Sequence, residues 1–184
     1  MPELRIRTVP ESAATGETAE LYADIRARFP GGVVPDVFQT VSLRPDFLRV
    51  VWQGYVAMFE GGVLPREVKE MIATVVSHEN SCRYCVQAHS LLLRSVGGTA
   101  EAAAMAEGGD IEGLPIDAKY KRLLHLTAKV TRHAYRVIDE DFAEMRGAGL
   151  SDDEILEGVF VASLFNAINR LADTFGLFDL MQLK

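Results

Sequence analysis

A chain of 184 residues with 48% apolar and 24% charged side chains has material for a sizeable packed core and lacks the bias of disordered or fibrous sequences. Its net charge of -7, with Lys and Arg scattered, excludes a nucleic-acid backbone or an anionic membrane as the main partner, because both demand clustered cations. No run approaches the about eighteen apolar residues of a membrane span, the longest candidate being Gly158 to Phe165, and Met1-Pro2-Glu3-Leu4-Arg5 lacks the apolar core of a secretory signal. The expectation is a cytoplasmic protein, in which two cysteines three positions apart are not a structural framework.

Taken in chain order, Glu17 to Phe29 reads as a helix stopped by Pro30-Gly31-Gly32. Asp46 to Glu60 reads as a second, capped by Asp46 and closed by Gly61-Gly62. Pro65 opens a third, in which Val68, Met71, Ile72, Val75 and Val76 recur at the spacing of a buried stripe. Cys82 to Val96 forms a fourth, ended by Gly97-Gly98, and Thr99 to Glu107 a short fifth before the loop Gly108 to Pro115. Asp117 caps a sixth running to about Tyr135, and Asp139 to Arg146 is a seventh. Ser151 and Glu154 make a capping box for a last long helix to about Phe175, with Gly176 beyond it. No segment alternates with period two. The fold class is all-α, and 1–184 reads as one domain, with N-terminal helices over 17–62, a core carrying the cysteines over 63–107 and C-terminal helices over 117–176. The Gly-Gly pairs are helix stops, not phosphate cradles, and no cofactor motif is present.

On a wheel of about 100° per residue, Cys85, Val86, His89, Leu92, Leu93 and Val96 fall within roughly 60 to 80° of Cys82, so the sulfurs and the imidazole share the apolar face. Positions i and i+3 on a helix are roughly 5 to 6 Å apart, within disulfide reach, so Cys82 and Cys85 can be oxidised to each other without unfolding. His89 follows Cys85 by four residues, which makes Cys85 the thiol best placed to lose a proton to it. Only a few per cent of a thiol with a pKa of about 8.5 is thiolate at neutral pH, so a base is needed. Glu70 lies almost opposite the apolar stripe of the third helix, beside the small residues Ala73, Thr74 and Ser77. If the fourth helix packs there, Glu70 can hydrogen-bond His89 and fix its tautomer, the logic of an oriented base serving a nucleophile.

Glu70, eleven residues, Cys82, two residues, Cys85, three residues and His89 resemble the motif of AhpD-like alkylhydroperoxidases, within the carboxymuconolactone decarboxylase superfamily. The run Ser77-His78-Glu79-Asn80-Ser81-Cys82-Arg83-Tyr84-Cys85 is similar to the same core, and Phe165-Asn166-Ala167-Ile168-Asn169-Arg170 is similar to a stretch of peroxidase-related members. Some members place a His before the second Cys, where this chain has Tyr84. The resemblance covers roughly 37 to 178 and implies an all-helical homo-oligomer, a trimer or hexamer, in keeping with a mean hydropathy of +0.08.

The resemblance further implies a thiol peroxidase. Glu70 polarises His89, His89 deprotonates Cys85, and the thiolate attacks a hydroperoxide to become a sulfenic acid. Cys82 condenses with it to a disulfide, which an external dithiol, lipoyl-type or thioredoxin-like, reduces. His78 and Tyr84 are possible auxiliaries. Other readings stand beside this one: two inert buried thiols; a zinc-stabilised module using Cys82, Cys85, His89 and His78; a redox sensor that forms the disulfide without turnover; or a decarboxylase-type reaction on the superfamily scaffold. Asn166, Asn169 and Arg170 read as structural, at an interface or capping buried carbonyls.

Overall fold

A computed structural model describes residues 4–178; Met1 to Glu3 and Asp179 to Lys184, the ends of the expected 1–184 domain, lie outside the described residues. Among the described residues the chain is all-α, with α1 (Gly16–Arg28), α2 (Asp36–Gln39), α3 (Pro45–Phe59), α4 (Arg66–Glu79), α5 (Arg83–Ser95), α6 (Ala100–Glu107), α7 (Ala118–His133), α8 (Asp139–Gly147) and α9 (Asp152–Phe175). Glu11–Ala13 and Ala134–Arg136 are single 3-10 turns, the second taking over where the sixth helix was expected to run on to Tyr135.

The centre of the fold is α4, which packs against α5, α6, α7 and α9. Every residue from Val68 to Ser77 is buried, so the apolar stripe and the small, polar face behind it both meet protein. The helix ends through a paired turn in which Ser81 N–H donates to His78 O at 2.9 Å and Cys82 N–H to Ser77 O at 2.9 Å. Ser81 makes that turn with φ of 58°, a left-handed conformation that usually falls to glycine. Cys82 therefore stands at the N-cap of α5, with Arg83 as the first helical residue.

Two expected caps are observed at the other end of the chain. Ser151 Oγ accepts from Glu154 N–H while Glu154 Oε2 accepts from Ser151 N–H at 2.8 Å, and Asp117 Oδ1 accepts from Lys119 N–H at 2.9 Å. Asp46, in contrast, does not cap α3. Pro45 is at the first helical position, as its fixed φ favours, which moves the cap to Arg44 and leaves Asp46 to pair with the Arg44 guanidinium at 2.6 and 2.9 Å. The four-residue α2 has no counterpart in the sequence reading because it is too short to show a period.

By length and composition α9 is long and apolar enough to cross a membrane, which corrects the expectation that no segment came near. In this fold it packs by one face, burying Ile155, Val161, Ala162, Phe165 and Asn169 against its neighbours α4, α7 and α3.

Lys69 is almost completely buried on α4, where its ammonium pairs with Glu157 of α9 and donates to Gly61 O. Glu157 also accepts from Val63 and Leu64 N–H at 2.6 and 3.0 Å, tying the α3–α4 loop to α9. Gly62 approaches so closely that a Cβ would collide with this carboxylate. Burial pushes the Glu157 carboxyl up, but Lys69 and the two amides more than offset it and hold it below the usual range. The stability this provides is present above the unfolded carboxyl pKa and is lost as pH falls through the depressed folded value. Lys69→Ala leaves a buried carboxylate without its partner and should cost about 3–5 kcal/mol. Urea unfolding is expected to show Lys69→Met/Glu157→Gln closer to wild type than Lys69→Ala, with less loss of stability towards acid.

Candidate active site

Among the described residues Glu70 is the one carboxylate with no exposed surface, and it is held from both sides. Its Oε2 lies 2.7 Å from Nδ1 of His89 on α5. Its Oε1 accepts from Nε and Nη2 of Arg66 at 2.8 and 2.6 Å. A carboxylate can only accept here, so Nδ1 carries the hydrogen and the unprotonated position of a neutral ring is Nε2. The expectation that Glu70 reaches across to His89 therefore describes the observed packing of α4 on α5.

Arg66 donates further to Phe59 O at 3.1 Å and to the Tyr55 hydroxyl at 3.4 Å, and lies 4.3 Å over the Phe59 ring. Burial works against its charge, but Glu70 more than compensates, and the guanidinium is held above its usual range. The Tyr55 phenol is pushed up to about 12, chiefly by burial, so it stays a neutral hydroxyl. His89 is gripped by rings as well: Phe59 lies nearly parallel to it at 5.7 Å and Phe165 meets it edge-on at 4.6 Å. Two neutral faces and one carboxylate thus fix the plane of the imidazole.

Cys82 and Cys85 are buried free thiols in a small cluster with Tyr84, Ala172 and Leu177. The Cys82 thiol is pushed well up, first by its hydrogen bond to the Cys85 sulfur and then by burial, with Asp173 adding to it. Cys82 is accordingly the thiol that keeps its proton. Cys85 and His89 line one cavity of about 40 Å³, together with Tyr84, Ala88, Leu92 and Phe165. Tyr84, in the position where some relatives of the motif have His, is buried, hydrogen-bonded to the Val37 backbone and pushed up by burial.

His78 does not join this group. It is exposed on α4, and its Nδ1 lies 2.9 Å from Glu107 O at the end of α6, so an auxiliary role beside the thiols has no support in its position. Among the described residues no group of three or more His, Cys, Asp or Glu side chains is disposed to hold a metal ion. Asn166 and Asn169 act structurally. Asn80 Nδ2 donates to both amide oxygens, at 3.0 and 2.8 Å, and Asn169 Nδ2 donates to Ser77 Oγ at 3.0 Å, so α9 clamps the turn that delivers Cys82. Arg170 caps this arrangement by donating to Asn166 O at 2.6 Å.

Arg66, Tyr55, Asp36 and Asp173 are the site residues that sequence reasoning passed over. Arg66 and Glu70 are four apart on one helix, a spacing that was visible, but a charged run at a helix start also describes a solvated face. Asp173 comes near Cys82, and Asp36 near Tyr84, only through docking of α9 and α2, which no local pattern announces.

Such an arrangement, paired buried thiols beside a histidine oriented by a buried carboxylate within an all-helical fold, is similar to that of several known proteins. Residues 45–111 match the model of the carboxymuconolactone decarboxylase family. The chain is 33% identical over 103 residues to an alkyl hydroperoxide reductase of Mycobacterium tuberculosis; that match takes in 56% of this chain and 29% of the other, so the chain spans less than a third of the curated relative it matches. The crystal structure of an AhpD-core, peroxidase-related protein from Ralstonia eutropha JMP134 superposes with a TM-score of 0.87 at 26% identity, covering 96% of this chain and 92% of that one. The same fold also carries a debrominase, solved with 2,3,4-tribromopyrrole, at 14% identity and a TM-score of 0.78, covering 94% and 91% of the two chains. The all-helical fold is thus shared with AhpD-like proteins, and the chemistry has to be argued from the site.

Asp36 supplies a pH test of the wall beside Tyr84. Burial pushes its carboxyl up to about 6, so its contribution to stability is full below the ordinary carboxyl range and is lost as pH rises through about 6. Asp36→Asn is expected to melt above wild type at pH 7 to 8, with the two converging near pH 4 in a thermal-unfolding series.

Proposed function

We propose that the protein is a thiol-dependent hydroperoxide reductase in which Cys85 is the nucleophile, His89 its base, Glu70 the group that orients the base, and Cys82 the resolving thiol. The observation that carries this reading is the 2.7 Å contact of Glu70 with Nδ1 of His89, which leaves Nε2 as the proton acceptor in a ring that shares a cavity with Cys85. His89 takes the Cys85 proton, and Glu70 stabilises the positive charge that the ring acquires. The thiolate attacks one oxygen of the hydroperoxide, the O–O bond breaks, and the proton held on His89 goes to the departing alkoxide. The products are an alcohol and a sulfenic acid on Cys85.

Cys82 remains protonated through this step because its hydrogen bond to Cys85 is the largest influence raising it. Oxidation of Cys85 removes that influence. The Cys82 sulfur then attacks the sulfenic sulfur, an S–S bond forms and water leaves, which protects Cys85 from irreversible over-oxidation. An external dithiol of lipoyl or thioredoxin-like type reduces the disulfide. The resemblance adds that the 184 residues act as one domain in a cytoplasmic homo-oligomer, trimer or hexamer.

Steady-state consumption of a small organic hydroperoxide with excess dithiol tests the reading. Turnover is expected for wild type and should vanish in Cys85→Ser and Cys82→Ser, with a sulfenic acid trapped at Cys85 in the second variant. Glu70→Gln, which keeps the shape and removes the charge, is expected to lower kcat by about 10²–10⁴. Turnover that survives in Cys85→Ser rejects the assignment, and a disulfide that forms in wild type without any turnover identifies a sensor instead.

A further inference from the structure

The cavity that holds Cys85 and His89 measures about 40 Å³, room for only a few atoms, since one water needs about 10–15 Å³ on the same measure. It cannot take the body of an organic hydroperoxide. Beside it lies a groove of about 530 Å³, of the size that suits a small-molecule ligand. The two share Phe29, Pro35, Tyr84, Ala88 and Leu92, so the groove adjoins the thiol compartment across these side chains.

One wall of the groove is the outer face of α5, carrying Tyr84, Ala88, Leu91 and Ser95 at helical spacing; the other is the apolar turn from Phe29 to Pro35. Among the described residues the sole charged side chain on its lining is Arg94. Leu91 is 59% exposed and Val33 48%, apolar surface turned to water with no charge between them. Arg94 lies nine residues beyond Cys85 on the same helix, about 13 Å along the axis at 1.5 Å per residue and about half a turn round it, so a chain joining the two runs over the intervening Tyr84, Ala88 and Leu91 face. An extended carbon chain advances about 1.2 Å per bond, so the axial part of that path alone takes roughly ten or eleven bonds. Among the described residues the Arg94 guanidinium pairs with Glu107, at 3.4 Å and about half exposed, and Glu107 also accepts from Ser90. Exposed pairs of that length contribute little and exchange readily for a new carboxylate.

Resting on the reading of Cys85 as a peroxide-reducing thiol, we infer that the substrate is a mid-chain hydroperoxide of a long-chain fatty acid, its hydroperoxy group in the Cys85 compartment, its chain in the groove and its carboxylate on Arg94. The chemistry is the step already given: the fatty-acid hydroperoxide leaves as the corresponding hydroxy acid, and Cys85 gains the oxygen.

Linoleic acid hydroperoxide, its methyl ester and hydrogen peroxide, compared with the same dithiol, supply the test. The expected order of kcat/KM is acid, ester, hydrogen peroxide. Arg94→Gln should reduce the acid-over-ester ratio about tenfold, the worth of one charge-assisted contact, and Leu91→Asp should reduce the preference for either lipid over hydrogen peroxide. Equal kcat/KM for all three substrates, or an acid-over-ester ratio indifferent to Arg94→Gln, overturns the inference while leaving the peroxidase reading intact. Calorimetric binding of the corresponding hydroxy acid to the Cys85→Ser protein separates the two further. Binding weakened by Arg94→Gln supports the groove even if no peroxide is turned over, and absence of binding rejects it whatever the turnover.

Discussion

Burying the Glu70 carboxylate is the constraint around which the rest of this molecule is arranged. An isolated carboxylate in an apolar interior is strongly unfavourable, and it is tolerated only where charge and hydrogen bonds are returned to it. Arg66 returns the charge from one turn earlier on α4, and His89 returns a hydrogen bond from α5. The contact with His89 exists only while the two helices are in register. The same constraint that stabilises the helix pair therefore sets the direction of the imidazole, and the fold cannot be correct while the base is misoriented.

A second system supports the first from the N-terminal side. Aromatic rings pass contact from Phe29 and Phe38 through the stacked pair Trp52 and Tyr55 to Phe59, and from Phe59 to His89. Tyr55 also touches Arg66 through its hydroxyl. The small helices before α4 thus wall the thiol cavity and hold the far end of the Arg66–Glu70–His89 chain. Short, poorly periodic elements such as α2 gain their place from these ring contacts and not from intrinsic helical preference.

Much of this was readable before any coordinates. The stripe on α4, the shared face of Cys85 and His89 on α5, and the serine and aspartate caps of α9 and α7 are local patterns, and local patterns fix local geometry. The reach of Glu70 to His89 was legible because small residues flank Glu70 and permit close helix packing. Other features escaped for definite reasons. Asp46 looked like a cap, yet the proline before it decides where α3 begins. Arg66 looked like part of a solvated charge run, and only burial of its partner makes it part of the site. The Phe29 to Pro35 turn read simply as a helix stop, and its role as a wall depends on docking against α5, which no one-dimensional pattern encodes.

The clamp of Asn80 by Asn166 and Asn169 carries a consequence for how the site comes into being. The turn that presents Cys82 is fixed by side chains 86 and 89 residues further along, and Ala172 and Leu177 complete the cover over the sulfurs. Contacts of such separation are made late, because a long loop must close before they form. A chain synthesised only as far as α8 holds its thiols uncovered, next to a histidine that has not yet met Phe165. Reactivity at the cysteine pair is thereby tied to completion of folding, and a nascent chain is at its most vulnerable to oxidation in the interval before the last helix docks.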